Sequence, residues 1–174
     1  MVLVLASGRG ERFRASGGAV HKLQALLGGK PVLQHTLETV RASGLPFFLV
    51  DQGYAGMGDS IAAGVRASAD AAGWLVLPGD LPLVQASTLQ AVAQALQIHD
   101  VVIPTCAGQR GHPVGFSAAC KSALMSLKGP EGAMSIARAR RITELPVDDT
   151  GAVTDIDTLQ DLQRAEVLLT LRKP

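Results

Sequence analysis

Short unbroken apolar runs recur along the chain and predict β-strands, the first of which is expected to be buried on both faces. They lie at residues 2–5, 47–50, 74–77 and 101–103. Between these runs, apolar residues recur at three- and four-residue spacing, which is typical of helices packed on one face. The helices are expected to follow Pro31, to run from about Ser60 to Gly73, to begin with a cap at Ser87, to cover about 130–140 and to follow Asp157.

The order of these elements predicts an α/β protein with three layers, α/β/α. Strands separated by helices require right-handed crossovers, which give a mostly parallel, Rossmann-like sheet covered on both faces. Further extended segments are expected at 112–116 and 142–147. No repeat, low-complexity tract or long linker interrupts the pattern, so we expect a single domain over residues 1–174.

Composition excludes several classes of protein. The chain is 47% apolar but only 3% aromatic, so its core must be built from Ala, Val, Leu and Ile. A formal net charge of +1 argues against bulk binding of nucleic acid. No apolar run approaches the length of a membrane span and no signal peptide precedes Met1, which favours a cytoplasmic protein. Cys106 and Cys120 lack metal-ligand spacing and are expected to be buried thiols.

The first predicted strand is followed by a small, basic, glycine-rich loop. Its glycines stand at positions 8, 10, 17 and 18, and its basic residues are Arg9, Arg12, Arg14 and Lys22. Glycine lets backbone N–H groups approach phosphate oxygens, and Arg and Lys supply fixed positive charge. The loop therefore predicts a polyphosphate site, with an ordinary glycine-rich turn as the alternative.

The spacing of this loop excludes two common phosphate-binding motifs. A dinucleotide-binding fingerprint needs a glycine three residues after Gly10, where the chain has Phe13. A P-loop needs Gly-Lys followed by Ser or Thr, whereas Gly29 and Lys30 are followed by Pro31. The loop belongs to neither class.

An acidic residue is expected to face the glycine-rich loop. Asp80 follows the third predicted strand within Pro-Gly-Asp-Leu-Pro, and the carboxyl ends of parallel strands meet at one edge of the sheet. A carboxylate opposite a polyphosphate makes electrostatic sense with a cation such as Mg²⁺ between them. The alternative is a turn residue that hydrogen-bonds its own backbone.

A second acidic cluster spans residues 155–161. In one interpretation Asp155 or Asp157 caps the last helix, and Asp161 lies favourably in its first turn. In the other, one of the two residues is a second metal ligand, and Asp157 is the favoured candidate.

Two further segments carry candidate binding residues. Arg110 and His112 lie on a turn before an expected strand and could bind an anionic acceptor, although a Gly-x-Pro turn explains much of that segment. The stretch 56–60, Gly-Met-Gly-Asp-Ser, precedes a helix, and its N–H groups could meet a nucleobase or a phosphate.

Taken together, these motifs resemble the MobA-like nucleotidyltransferases. The motifs are, in order, Leu5-Ala-Ser-Gly-x-Gly-x-Arg12, Lys22, Gly56-Met-Gly-Asp-Ser60, Gly79-Asp-Leu-Pro82, Arg110-Gly-His-Pro113 and Asp155-Ile-Asp-Thr158. The stretch 56–60 and the turn 110–113 are most similar to the MocA-like branch, the molybdenum cofactor cytidylyltransferases. The resemblance implies a fold of the nucleotide-diphospho-sugar transferase type and one nucleotidyltransferase domain over residues 1–174.

The resemblance also implies an activity and a site. The activity is transfer of CMP from CTP to the phosphate of molybdopterin, with release of pyrophosphate and with Mg²⁺ as cofactor. The implied catalytic residues are Arg12, Lys22 and Asp80, and the implied metal ligands are Asp80 and Asp157. The implied nucleotide-binding residues are Leu5, Ala6, Ser7, Gly8, Gly10, Lys22, Gly58, Ser60 and Asp80. Arg110 and His112 would lie on the acceptor side.

The implied partners are a nucleoside triphosphate, a phosphorylated acceptor resembling molybdopterin, and a molybdoenzyme or its maturation chaperone, but no nucleic acid or membrane.

Three features depart from the family pattern. Ser7 stands where Ala or Gly is usual, the segment between Arg12 and Lys22 is longer than the compact form, and the chain is slightly short. The alternatives are guanylyl transfer, nucleotidyl transfer to a sugar or polyol phosphate, and a non-catalytic protein that binds a nucleotide or cofactor.

Overall fold

A mostly parallel β-sheet forms the centre of the structure, a computed structural model that describes residues 1–171. Its apolar runs form strands where the sequence predicts them. The strands among these residues are β1 (Val2–Leu5), β2 (Leu26–Leu27), β3 (Lys30–Pro31), β4 (Phe47–Val50), β5 (Gly73–Pro78), β6 (Val101–Cys106), β7 (Gln109–Arg110), β8 (Val114–Ser117) and β9 (Ile142–Pro146).

Seven strands of the described chain form the main sheet, in the order β4-β1-β5-β8-β6-β7, with β9 also paired to β6. Strand β1 runs parallel to β4 and β5, and β9 runs parallel to β6. Strands β7 and β8 pair antiparallel with their neighbours, while β2 and β3 form a separate antiparallel pair. The carboxyl ends of β4, β1 and β5 therefore lie side by side at one edge.

Helices cover both faces of this sheet, as the three-layer prediction requires. Along β1, Leu3 packs with Ile61 on one face, whereas Val2 and Val4 pack with Val40 on the other. The helices are α1 (Glu11–Ala15), α2 (Val32–Ala42), α3 (Met57–Ala67), α4 (Ala86–Ala95), α5 (Lys121–Met125), α6 (Met134–Arg138) and α7 (Leu159–Leu171), and three-residue or four-residue 3₁₀ turns cover Lys22–Gln24, Ala118–Cys120 and Thr150–Val153.

The cap of α4 differs from the prediction. Ser87 lies inside the helix and makes no capping bond there. Instead, the buried carboxylate of Asp149 accepts hydrogen bonds from the backbone N of Gln85 (2.8 Å) and from the hydroxyl of Thr88 (2.7 Å). The backbone N of Gly151 donates to the same carboxylate over 3.0 Å. The prediction at Ser87 was wrong because a residue distant in the chain satisfies the donors at this helix start.

Two other helices have different limits from those predicted. Helix α3 begins at Met57 and ends at Ala67, earlier at both ends than expected, and α6 covers only part of 130–140.

Cys106 and Cys120 are buried free thiols, as expected. No helix within residues 1–171 combines the length and apolar character needed to cross a bilayer. The assignment of residues 1–174 to one nucleotidyltransferase domain stays a prediction.

Candidate active site

Two loops leave the sheet next to each other at its carboxyl edge. In the β1–β5 pair, Leu5 lies opposite Pro78. The backbone N of Gly79 donates to the carbonyl of Leu5 over 2.8 Å, and the backbone N of Ala6 donates to the carbonyl of Val50 over 2.8 Å. The glycine-rich loop after β1 and the loop that carries Asp80 therefore begin at adjacent positions.

The ammonium group of Lys22 joins two acidic side chains at this edge. Its Nζ lies 2.5 Å from Asp80 Oδ2 and 2.8 Å from Asp157 Oδ1. The other carboxylate oxygen of Asp157 lies 2.6 Å from Arg12 Nη1. The side chains of Lys22 and Asp80 are only 13% and 12% exposed, so water screens their charges weakly. The structure thus brings together the four residues for which the sequence predicts catalytic or metal-binding roles.

The protonation of Lys22 follows from these contacts. Burial by itself would lower the pKa of Lys22, but the charge of Asp80 and the hydrogen bonds to Asp157 and Asp80 outweigh that effect and raise the pKa. Lys22 is therefore an ammonium ion at neutral pH. Such a group can neutralise charge on a phosphate, but it does not serve as a general base.

The cap of α7 leaves Asp157 available for its ion pairs. Asp161 Oδ2 accepts hydrogen bonds from the backbone N (2.8 Å) and the hydroxyl (2.7 Å) of Thr158. Thr158 Oγ1 in turn accepts from the backbone N of Asp161 over 3.2 Å. This reciprocal pair is a capping box, so Thr158 caps the helix. The interpretation of Asp155 or Asp157 as the cap was wrong because the threonine directly before the helix takes that role.

Asp80 and Asp157 have the chemistry of a divalent-cation site. Asp80 Oδ1 is buried and has no hydrogen-bond partner in the structure. Two carboxylates completed by substrate phosphates are a usual ligand set for Mg²⁺. Burial, together with the charges of Asp157 and Asp80, raises the pKa of Asp155. Asp157 is the stronger candidate because it shares the Lys22 ammonium group with Asp80. The described residues contain no cluster of three or more His, Cys, Asp or Glu suited to a metal, so a cation here would also need oxygens from a ligand.

A cleft of about 300 Å³ opens between the loop after β1 and the start of α3. Ser7 and Ser60 both line this cleft, and their hydroxyl groups hydrogen-bond each other over 2.7 Å. Gly10, which has a φ of 63°, lies with Arg12 in an adjoining groove. Predicted site residues that line the cleft are Leu5, Ser7, Gly8, Lys22, Ser60 and Asp80.

The glycines of the stretch 56–60 are required by close backbone packing. A Cβ at Gly56 would lie 2.0 Å from the carbonyl oxygen of Gly129, and one at Gly58 would lie 2.7 Å from the carbonyl oxygen of Glu131. The backbone N of Gly58 donates to the Gly129 carbonyl (3.0 Å), and the Asp59 carboxylate accepts from the Gly129 N (2.9 Å). The structure therefore places Gly58 against the 128–131 segment, and its contact with a nucleotide stays a prediction.

The two predicted acceptor-binding residues, Arg110 and His112, differ in exposure and in their contacts. His112 Nδ1 is buried without a hydrogen-bond partner, and burial lowers the pKa of His112 despite the charge of Asp80 and the carbonyl of Val76, which act in the opposite direction. Arg110 lies on β7, three strands away from β5 in the sheet order, and its guanidinium binds Glu144 Oε1 at 2.7 Å. The structure brings His112 near Asp80 but does not bring Arg110 to the Lys22 cluster.

Some residues that line the cleft were not among the predicted site residues. Tyr54 and Pro130 line it, as does Met57, which lies inside the predicted stretch 56–60. The weak signal for Tyr54 was a lone aromatic side chain inside a glycine-containing loop. Pro130 carried no such signal, because its position depends on the packing of Gly129 against Gly56.

Comparison with known proteins gives a consistent family assignment. The model of the MobA-like NTP transferase domain matches residues 38–145, a segment that includes Asp80 but neither Lys22 nor Asp157. The molybdenum cofactor guanylyltransferase of Cupriavidus metallidurans is 30% identical, with 94% of this chain and 93% of that protein covered. The bifunctional protein GlmU of Xylella fastidiosa is 28% identical over 64% of this chain, which spans only 29% of the length of GlmU.

Solved structures support the fold. Rv0371c from Mycobacterium tuberculosis H37Rv superimposes with a TM-score of 0.78 at 23% identity, covering 95% of this chain and 96% of that chain. A second structure of Rv0371c, in complex with manganese, gives a TM-score of 0.72 at 22% identity, with 95% and 97% covered. Molybdopterin-guanine dinucleotide biosynthesis protein A from Archaeoglobus fulgidus gives a TM-score of 0.72 at 18% identity, with 98% of each chain covered. The predicted fold of the nucleotide-diphospho-sugar transferase type is confirmed.

Proposed function

Because the chain belongs to the MobA-like NTP transferase family, we propose that it transfers CMP from CTP to the terminal phosphate of molybdopterin and releases pyrophosphate. The observation that carries this proposal is the Lys22 ammonium held between Asp80 and Asp157 beside a glycine-rich cleft. A buried cation and two carboxylates at the carboxyl edge of a parallel sheet suit the binding of a triphosphate with a metal ion.

The proposed reaction is an in-line displacement at the α-phosphorus of CTP. An oxygen of the acceptor phosphate forms a new bond to that phosphorus, and the bond to the bridging oxygen breaks, so pyrophosphate leaves with the bonding electron pair. A phosphate monoester is already an oxyanion near neutral pH, so no general base is needed. The task of the chain is to align the reactants and to neutralise charge, for which Lys22 and Arg12 are the candidates.

Asp80 and Asp157 are the residues that would hold Mg²⁺ in this scheme. Asp80 Oδ1 is the oxygen that would bind the cation, because it is buried and has no hydrogen-bond partner in the structure. When bound, the cation would supply positive charge to the triphosphate and the leaving pyrophosphate. Lys22 would also supply positive charge to the triphosphate on the side that faces the cleft, because it lines both the cleft and the adjoining groove.

The preference for cytosine is supported by the motifs at 56–60 and 110–113, which resemble the cytidylyl-transferring branch. Guanylyl transfer is the second candidate, and the guanylyltransferase relative at 30% identity favours it. On the acceptor side, His112 is the stronger of the two candidates because it lies near Asp80, whereas Arg110 is already paired with Glu144. Contact with a molybdoenzyme or its maturation chaperone stays a prediction.

Calorimetric titration with CTP and GTP, each with and without Mg²⁺, tests the proposal first. Tight, Mg²⁺-dependent binding of CTP supports cytidylyl transfer, and a preference for GTP moves the protein to the guanylyl branch. Pyrophosphate release in the presence of molybdopterin then separates an enzyme from a protein that only binds nucleotide. Lys22→Ala and Asp80→Ala are each expected to remove most of the turnover while the protein stays folded. Wild-type turnover in either variant would contradict the role given to that residue.

A further inference from the structure

His21 connects the two chain segments that carry the phosphate-binding candidates. Its Nε2 lies 2.7 Å from the carbonyl oxygen of Gly8, and its Nδ1 accepts a hydrogen bond from the backbone N of Leu23 over 3.3 Å. Because Nδ1 accepts, the neutral ring carries its proton on Nε2 and donates it to Gly8. One imidazole ring thereby fixes both the loop after β1 and the 3₁₀ turn that begins with Lys22.

The ring also fits closely against the loop that it holds. A Cβ on Gly10 would lie 3.3 Å from His21 Nε2, so the glycine at this position leaves room for the imidazole. Gly10 also has a φ of 63°, a conformation that glycine adopts without strain. The contact therefore depends on two residues of the sequence, the imidazole of His21 and the glycine at position 10.

The direction of the Gly8 carbonyl matters for an anionic ligand. Gly8 and Arg9 both line the cleft. A carbonyl that turned into the cleft would present a partial negative charge to phosphate oxygens and repel them. In a trans peptide the carbonyl and the next N–H point in opposite directions, so the bond to His21 also sends the Arg9 N–H away from the imidazole.

We propose that His21 is a positioning residue for the triphosphate, and that its Nε2–H holds the Gly8 carbonyl in the orientation that lets the loop accept phosphate. This inference rests on the proposed nucleotidyl transfer and deepens it by naming a residue that acts through the backbone of the loop. The Nδ1 atom has a separate duty, because it caps the 3₁₀ turn at Lys22–Gln24.

Two substitutions separate these duties. The amide of His21→Asn occupies the place of Nδ1 and can still cap the turn, but it does not reach Gly8. The longer His21→Gln side chain carries an N–H donor to the place of Nε2 and can still bind the carbonyl. His21→Ala loses both contacts.

Calorimetric titration of these variants with CTP and with CMP, in Mg²⁺, tests the inference. Loss of one hydrogen bond that orients the loop is expected to weaken CTP binding about tenfold in His21→Ala and His21→Asn. His21→Gln is expected to stay within about threefold of wild type, and the affinity for CMP, which lacks the outer phosphates, is expected to change less than about twofold in all three variants.

The outcomes separate this inference from the proposed function. An Asn variant that binds CTP as wild type does, or a Gln variant as weak as the Asn variant, would overturn the role of the Nε2–H donor. Failure of the wild-type protein to bind either CTP or GTP would instead overturn the proposed function, and with it the need for a positioning residue. Thermal unfolding of each variant shows whether the fold is retained.

Discussion

Lys22 occupies the space between the two carboxylates that a divalent cation would need, so the two cations should compete. In the structure the ammonium group contacts Asp80 Oδ2 and Asp157 Oδ1 at 2.5 and 2.8 Å. Removing it in Lys22→Ala frees both oxygens and also removes one positive charge from the neighbourhood of the site. We therefore expect Lys22→Ala to bind a divalent cation more tightly than wild type in the absence of nucleotide, although it is expected to lose turnover.

The size of the effect follows from the two contacts. Each is a charge-assisted hydrogen bond between largely buried groups, worth about 1.5 kcal/mol net, so displacing the ammonium costs about 3 kcal/mol. That free energy corresponds to about 150-fold in affinity. Titration with Mn²⁺, followed by the electron paramagnetic resonance signal of the free ion, measures the change directly.

A matched control removes a lysine charge elsewhere. Lys30 forms an ion pair with Glu38 on the surface, with side chains 37% and 43% exposed, and Lys30→Ala should leave the Mn²⁺ affinity unchanged. Equal or weaker Mn²⁺ binding by Lys22→Ala than by wild type would refute the idea that the ammonium holds the place of a metal ion.

Three further predictions concern the site and its frame. Asp80→Asn is expected to weaken Mn²⁺ binding at least tenfold, because a neutral amide replaces the buried carboxylate; unchanged binding would exclude Asp80 as a ligand. Asp149→Ala is expected to lower the free energy of unfolding in urea by about 3 kcal/mol, since three donors lose their acceptor, whereas the exposed Asp148→Ala should cost under about 0.5 kcal/mol. Burial lowers the pKa of His112 below its ordinary value of 6.5, so its contribution to the free energy of unfolding is fully present above pH 6.5 and falls below it, where the unfolded state takes up a proton. In urea unfolding between pH 5 and 7.5, the free energy of unfolding of His112→Asn should therefore fall less steeply towards acid pH than that of wild type. An unchanged pH profile would contradict this assignment.

The strands and their order along the chain could be predicted because local pattern determines them. Four-residue apolar runs such as Val2–Leu5 have few alternatives to a buried strand. The antiparallel direction of β8 could not be predicted, since it depends on which neighbours the strand inserts between rather than on its own residues. The cap of α4 could not be predicted either, because its acceptor, Asp149, lies far from the helix along the chain.

The grouping of the candidate site residues was more predictable than their detailed contacts. The approach of Asp80 to the glycine-rich loop could be predicted, because each follows a strand whose carboxyl end is expected at the same edge of a parallel sheet. The glycines at 56 and 58 suggested a ligand contact, yet the backbone of Gly129 and Glu131 explains their lack of a side chain. A requirement for glycine shows that something approaches closely, but it does not distinguish a ligand from a neighbouring loop.

The long segment between Arg12 and Lys22 shows how the packing of α7 supports the site. Phe13 is buried in the same apolar cluster as Ile156, which lies next to Asp157. The hydroxyl of Ser16 accepts a hydrogen bond from the backbone N of Leu159 at 3.0 Å, at the start of α7. These contacts fold the segment back so that Arg12 and Lys22 both reach Asp157. The added length thus does not loosen the site, because the first turn of the last helix holds it in place.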